Sequence, residues 1–252
     1  MAKVSIVVPV YNAEDFILST VSMVQAQSFE DWEMIMVENG STDDTKLILK
    51  DLIENTLDKR LKVIFLDDNE RGPAKARNAG VEAASGRYIA YLDADDVWKR
   101  DKLKRTLEYM DEKKVGFVFT AYEFGDEKAN PTGKIVHVPE VLTYRKALSR
   151  TVIFTSTVMF DTQIIDKSMI KMPSVPSEDT ATWWNILKNG YNAYGLEETL
   201  VVYRRPAVSL SSNKGQAVVR IWNLYRNVEH LSVIESAWYF CGWAIKATLR
   251  RL

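Results

Sequence analysis

An α/β fold built on a doubly wound, mainly parallel sheet, with a C-terminal helical tail, is predicted by three observations. The first strand has almost no polar face, strand and helix alternate through the first hundred residues, and several strands run straight into polar loops at their carboxyl ends. Val4 to Val10 is mostly apolar and β-branched on consecutive positions, the pattern of a strand buried on both faces. Asn12, with Asp15 three residues later, stands in capping-box spacing for a helix through about Ala26. A second strand is expected from Glu33 to Val37, ending in Glu38-Asn39-Gly40-Ser41. Ser41 or Thr42 would cap the helix that follows to Glu54, and Lys62 to Leu66 reads as the third strand.

Gly72-Pro73 opens the next helix, because proline suits the first helical position, and Ala76, Gly80, Ala83 and Ala84 offer small residues for close packing. Gly86 ends it. Arg87 to Leu92 is expected to be a strand leading directly into Asp93-Ala94-Asp95-Asp96, with a helix from about Lys99 to Glu112 after it. The second half is less regular. A polar turn spans Gly125 to Lys134, a strand covers Thr157 to Phe160, and Pro173 and Pro176 mark a loop. Ser177-Glu178-Asp179 then begins a helix to about Lys188, and Thr199 to Arg204 is a further strand.

Composition narrows the function. A formal net charge of −1 over 252 residues argues against a general nucleic-acid binder. The lone cysteine, Cys241, and two histidines, His137 and His230, supply neither an intramolecular disulfide nor a Cys/His zinc framework. The first apolar run is broken by Pro9 and followed by Glu14 and Asp15, unlike a secretory leader, and no run approaches the ~20 apolar residues of a membrane span. A cytoplasmic location is expected.

The acidic cluster carries the most chemistry. Residues two apart on an extended segment face the same way, so Asp93 and Asp95 can converge. Close carboxylates repel unless a cation compensates them, and an all-oxygen set suits magnesium or manganese. For an isolated triplet, Asp96 capping the next helix is the simpler reading. Its place at the end of a buried strand of an α/β sheet favours a ligand site. Asn39 can read a base edge or merely serve an Asn-Gly turn, and Arg77 can reach an anion above the sheet or lie on a solvated helix face. Glu178 and Asp179 are welcome at a helix start whatever their role, yet one of them facing the cluster can take a proton from a hydroxyl. Arg204 and Arg205 can bring a guanidinium to a diphosphate or stand as surface charges.

Taken together, Val8-Pro9-Val10-Tyr11-Asn12, Glu38-Asn39-Gly40-Ser41-Thr42-Asp43, and the stretch from Arg71-Gly72-Pro73 through Ala76-Arg77-Asn78-Ala79-Gly80 to Tyr91-Leu92-Asp93-Ala94-Asp95-Asp96 resemble the family-2 glycosyltransferases. Those are inverting enzymes of the GT-A fold, and the bacterial polysaccharide enzymes are similar. The likeness runs from about Val4 to about Ser211. It implies that Pro9, Tyr11, Asn39 and Arg77 line the nucleoside pocket, that Asp93 contacts the donor's ribose or phosphates, and that Asp95 binds a divalent metal, Mn or Mg, as the second aspartate of a DxD motif. Asp179 would be the catalytic base. Two departures stand out: asparagine replaces the family's usual aspartate at position 39, and Pro206 takes the place of a histidine before Ser209-Leu210-Ser211, so Arg204 or Arg205 would supply the charge.

On this reading, residues 1–212 form the catalytic domain, with a nucleotide-binding half at 1–98 and an acceptor-binding half at 99–212. The implied activity is metal-dependent, inverting transfer of a hexose from a UDP-sugar to a saccharide linked to a polyprenyl diphosphate, at the inner face of the cell membrane. The alternative is a noncatalytic sugar-nucleotide-binding subunit of a polysaccharide assembly complex. A dinucleotide oxidoreductase is disfavoured, because no Gly-x-Gly-x-x-Gly follows the first strand.

Residues 213–252 form an amphipathic helical tail with six basic against two acidic residues. Ile234, Ala237, Trp238, Cys241, Ile245 and Leu249 recur at helical spacing. That stripe has three destinations: an anionic membrane surface, the catalytic domain, or a homodimer interface. Peripheral membrane contact is favoured.

Overall fold

The computed structural model describes residues 3–67, 71–205 and 214–249. In chain order the elements are β1 (Val4–Val10), α1 (Ile17–Gln25), β2 (Trp32–Glu38), α2 (Thr45–Asn55), β3 (Leu61–Phe65), α3 (Pro73–Ala83), β4 (Tyr88–Tyr91) and β5 (Val97–Trp98). They continue with α4 (Lys102–Lys113), β6 (Phe117–Gly125), β7 (Pro131–Val136), β8 (Val141–Leu142), α5 (Tyr144–Leu148), β9 (Met159–Asp161), α6 (Glu178–Lys188), β10 (Ala193–Arg204), α7 (Lys214–Asn223) and α8 (Val233–Leu249).

All belong to, or pack around, a sheet ordered β3-β2-β1-β4-β9-β6-β10-β5, with β7 on β6 and β8 on β10. The first four strands are parallel, as the βαβ alternation requires, and β6 and β10 are parallel to each other. Short antiparallel pieces complete the rest: β9 lies between β4 and β6, and β5 closes the far edge on β10. The sheet is therefore parallel in its N-terminal half and mixed beyond it, because the irregular 149–158 segment returns the chain without a full crossover helix.

The core strands of the parallel half are buried on both sides: β2 along its whole length and β1 at all positions but Pro9. Gly80 of α3 sits so close to β1 that a Cβ there would lie 2.3 Å from Val7 Cγ1, which explains the small-residue face. Ala83, however, points to solvent. Glu33 ties several segments together: it accepts from Ser5 Oγ on β1 at 2.5 Å, from Ser85 N and Oγ at 2.7 and 2.8 Å, and from Lys62 Nζ on β3 at 2.6 Å.

Two expected caps are absent, and so is the cap that stood as the alternative role of Asp96. Asn12 does not start α1; it adopts a left-handed backbone with φ +47°, and its Oδ1 accepts from Thr42 N at 2.9 Å. Neither Ser41 nor Thr42 caps α2, whose N-cap is Asp44. Asp96 does not cap α4, because β5 intervenes and the helix begins at Lys102.

The tail folds back onto the domain. Tyr225 is fully buried, stacks on Trp184 of α6 with ring centroids 5.3 Å apart, and donates its hydroxyl to Leu148 O. Buried Glu229 accepts from Lys188 Nζ at 3.0 Å and from the Tyr144 hydroxyl. Tyr239, Phe240 and Trp243 pack inward from α8, while Ile234 (84% exposed), Trp238 (78%) and Ile245 face outward. No helix among the described residues is long and apolar enough to cross a membrane.

Candidate active site

The carboxyl ends of β2, β1 and β4 lie side by side, so the loops that follow them meet above the parallel half of the sheet. Tyr11, one residue beyond β1, is 56% exposed and available to a ligand, and Pro9 is partly exposed. Asn39, one residue beyond β2, is buried; its backbone N–H donates to Val10 O, and its Oδ1 accepts from Gly72 N at 2.8 Å, tying the strand end to the start of α3. Gly40 then turns with φ +79°, and a Cβ on it would strike the Arg71 side chain.

Beyond β4 the chain does not stay extended. Asp96 N donates to Asp93 O at 3.1 Å, so the aspartates share a tight turn rather than one face of a strand. Their roles differ accordingly. Asp96 is buried; its Oδ2 accepts from Ser156 Oγ at 2.5 Å and its Oδ1 from Arg204 N at 3.2 Å, joining the turn to the chain before β9 and to the end of β10. Burial, and then the charges of Asp93 and Asp95, push its carboxyl well above the ordinary range.

Asp93 remains partly exposed and receives Arg77 Nη2 at 2.7 Å. Arg77 is neither a surface residue nor a free anion hook. It is buried, and its Nη1 donates to Glu178 Oε1 at 3.0 Å, so one guanidinium bridges the loop after β4 and the start of α6. Burial opposes its charge, but Asp93 and Glu178 more than offset this and raise its pKa. Glu178 is raised by burial and by Asp179, against the pull of Arg77.

Ser177, with φ +60°, bends the chain into α6 and sets Glu178 and Asp179 in its first turn. Asn78 holds the loop leading there through both its amide atoms, with Met172 N donating at 2.7 Å and Met172 O accepting at 2.8 Å. Asp179 Oδ1 accepts from Thr180 N at 2.6 Å; among the described residues its Oδ2 has only a long contact, 3.4 Å, from Thr155 Oγ1.

Arg204 donates through Nε to Asp95 O at 2.6 Å and through Nη1 to Glu127 O at 2.9 Å, so it braces the aspartate turn while bringing positive charge near the Asp95 carboxylate. Arg205 is exposed and lies over the Phe124 ring. Pro206 and Ser209-Leu210-Ser211 lie outside the described residues.

The arrangement fits a divalent cation sparingly. Asp95 is partly exposed, its carboxyl is raised by burial and by Asp93, and no side chain among the described residues donates to it. Asp93 keeps one carboxylate oxygen beyond the one given to Arg77. One or two carboxylates are what magnesium or manganese takes when phosphates and water complete the shell. The described residues hold no cluster of three acidic, histidine or cysteine ligands.

Thr155 and Ser156 join the site without any signal in the sequence. Ser156 Oγ also accepts from Asp93 N at 3.0 Å, and Ser156 O accepts from Trp98 Nε1 at 2.7 Å. A Thr-Ser-Thr triplet in an irregular stretch carries no periodic pattern. The partners of Ser156 lie 58 to 63 residues away.

Comparison with known proteins gives the family and the fold. The model of "Glycosyl transferase family 2" matches residues 5–168. The chain is 43% identical over 250 residues to a putative teichuronic acid biosynthesis glycosyltransferase, TuaG, of Bacillus subtilis (strain 168), covering 99% of this chain and 97% of that protein. It is 34% identical over 250 residues to WfaP of Escherichia coli, a UDP-Glc:alpha-D-GlcNAc-diphosphoundecaprenol beta-1,3-glucosyltransferase, covering 98% and 96%. Among solved structures, the mannosyltransferase PcManGT of Pyrobaculum calidifontis, in complex with GDP-Man and Mn2+, superposes with a TM-score of 0.69 at 19% identity, over 97% of this chain and 73% of that one. The shared architecture is the GT-A fold.

Proposed function

Because the chain belongs to glycosyl transferase family 2, as a glycosyltransferase of bacterial polysaccharide biosynthesis, we propose that it moves a sugar from a UDP-sugar to a saccharide carried on a polyprenyl diphosphate, with inversion at the anomeric carbon. The observation that carries this reading is the Arg77 bridge: it joins Asp93 above the sheet to Glu178, and so brings the helix that bears Asp179 to the same cleft. The donor and acceptor classes are those in the name of the Escherichia coli relative.

In this scheme Tyr11 and Pro9 flank the base. Asn39, its Oδ1 engaged by Gly72 N, offers its amide nitrogen to a base carbonyl. Asp93, positioned by the buried Arg77, faces the ribose or phosphates. Asp95, with the remaining oxygen of Asp93, would hold the divalent metal, which when bound supplies positive charge to the departing diphosphate. Asp179 accepts the proton of the acceptor hydroxyl as its oxygen bonds to the anomeric carbon. The bond to the diphosphate breaks from the opposite face, and its electron pair leaves on the diphosphate oxygen. The long Thr155 contact leaves Asp179 Oδ2 open to a better donor, the acceptor hydroxyl.

The exposed stripe of Ile234, Trp238 and Ile245 on a basic tail suits a membrane surface. On this reading the enzyme works at the inner face of the cell membrane, where its lipid-linked acceptor is presented. The test is a panel of nucleotide sugars with manganese, scored for release of nucleoside diphosphate with and without a polyprenyl-diphosphate-linked saccharide. Acceptor-stimulated release from one UDP-sugar is expected. Binding without release from any of them would favour a noncatalytic subunit.

A further inference from the structure

A groove of about 860 Å³ lies away from the aspartate turn, between the β7 edge, the segment after α5 and the last turns of α8. Its lining among the described residues includes Lys134, Arg150 and Lys246, with Glu197 near enough to Arg150 to feel its charge, and its apolar wall includes Ile135, Val152 and Trp243. His137, at its rim, is paired with Glu197, and Arg150 Nη2 donates to His137 O at 3.1 Å, so this wall is braced. Three cations beside a hydrocarbon and indole surface suit a ligand that joins a strong anion to an apolar chain.

Two connections place the groove in the reaction. The chain runs from Arg150 through Val152 to Thr155, the residue in contact with Asp179, in five steps. At ~3.3 to 3.6 Å per residue, this puts the Arg150 backbone within roughly 17 Å of that contact. On the other side, Trp243 and Lys246 belong to α8, whose outer face carries the exposed Trp238 and Ile245. The groove thus shares one short segment with the contact to Asp179 and one helix with the face that suits a membrane.

We propose that this groove seats the diphosphate of the lipid-linked acceptor, with Lys134, Arg150 and Lys246 against the phosphates and the first prenyl units on Ile135 and Trp243. The inference rests on the acceptor class proposed above and deepens it. The sugar on the diphosphate then extends along the 150–155 segment toward Asp179.

The experiment uses geranyl diphosphate as a probe, with the donor site filled by saturating UDP and manganese, and the full chain carrying Lys134→Gln and Lys246→Gln together. Both side chains are exposed, so the fold should survive; unchanged UDP affinity checks this. Binding is expected to weaken about tenfold in the double variant, with geraniol and inorganic diphosphate each binding wild type far more weakly than the joined molecule. Equal geranyl diphosphate affinity in both proteins, or none in wild type, overturns the proposal. So does loss of sedimentation with phosphatidylglycerol vesicles while geranyl diphosphate affinity is kept, which would assign the lysines to the bulk lipid surface. Transfer assays separate the two readings: no wild-type transfer to any diphosphate-linked acceptor removes the acceptor class and the groove with it, whereas transfer with an unaltered acceptor KM in the variant removes the groove alone.

Discussion

Arg77 and Asp93 are joined at 2.7 Å between a buried guanidinium and a partly exposed carboxylate, and the other arm of the same arginine holds Glu178 at 3.0 Å. Removing the arginine leaves two carboxylates close to Asp95 and Asp179 without their counter-charge. Arg77→Ala should therefore cost about 3–5 kcal/mol of stability in urea unfolding, the usual penalty for breaking a buried pair. Arg77→Lys, with one point charge in place of a fork, should recover only part of that. UDP affinity should fall in both, measured by calorimetry. A fully stable Arg77→Ala protein with normal UDP binding would show that the bridge organises nothing.

The proposed scheme gives the neighbours Asp179 and Glu178 separate duties. Asp179→Asn should lower kcat by roughly 10²–10⁴-fold, the range for loss of a general base, while UDP binding and unfolding midpoint stay near wild type. Glu178→Gln should behave differently, because Glu178 is engaged by Arg77: the unfolding midpoint should shift first, and donor affinity with it. Equal losses in both assays for Asp179→Asn would remove it from the base position.

Much of the N-terminal, parallel half of the sheet is legible in the sequence because its signals are local. Consecutive β-branched residues from Val4, the Gly72-Pro73 helix start and Gly80 each report on their own few neighbours. What stays hidden is non-local. Asn12 has the spacing of a cap but finds Thr42, thirty residues on, a better partner. Asp96 looks like its two neighbours until burial against Ser156 and Arg204 distinguishes it. Arg77 fits two alternatives, solvated or ligand-facing, whereas the fold makes it the buried link between two acidic segments, a role visible only once α6 is placed over β4. The groove beside Trp243 assembles three distant segments and has no sequence signature at all.

In the proposed scheme Asp95, with one oxygen of Asp93, would hold the metal, since Asp96 is committed to Ser156 and Arg204. Stripping divalent ions with EDTA should abolish transfer, and manganese should restore it. Asp95→Asn should need much higher manganese for half-maximal activity. Asp96→Asn should instead lower the unfolding midpoint with little change in manganese dependence. Full activity of the wild type in EDTA would rule out the metal requirement.

The tail predicts a separation of membrane contact from catalysis. Deleting it would uncover Trp184 and strip Glu229 from Lys188, confusing the two effects. Replacing the outward residues, Trp238→Ser with Ile245→Ser, leaves those anchors in place. Sedimentation with anionic vesicles should fall several-fold, while donor hydrolysis in solution stays unchanged. Undiminished sedimentation would leave the stripe to a second copy of the chain, which a light-scattering mass at rising concentration would reveal.

Glu33 gives the fold a pH limit far from the reaction. It is buried, and although burial opposes its charge, hydrogen bonds from Lys62, Ser5 and Ser85 lower its pKa from 4.5 to about 2. A carboxyl held lower in the folded than in the unfolded chain binds fewer protons when folded, so its stabilisation is complete above about pH 4.5 and drains away as pH falls toward 2. The full contribution is about 3 kcal/mol, since each tenfold difference in acidity between the folded and unfolded chain is worth ~1.4 kcal/mol. Glu33→Gln should therefore be less stable than wild type by an amount of that order at pH 7 in urea unfolding. The gap should narrow progressively between pH 4.5 and the lowest pH at which both proteins still fold. A gap independent of pH would mean that the loss is one of packing among β1, β2 and β3, and that the charge on Glu33 contributes nothing.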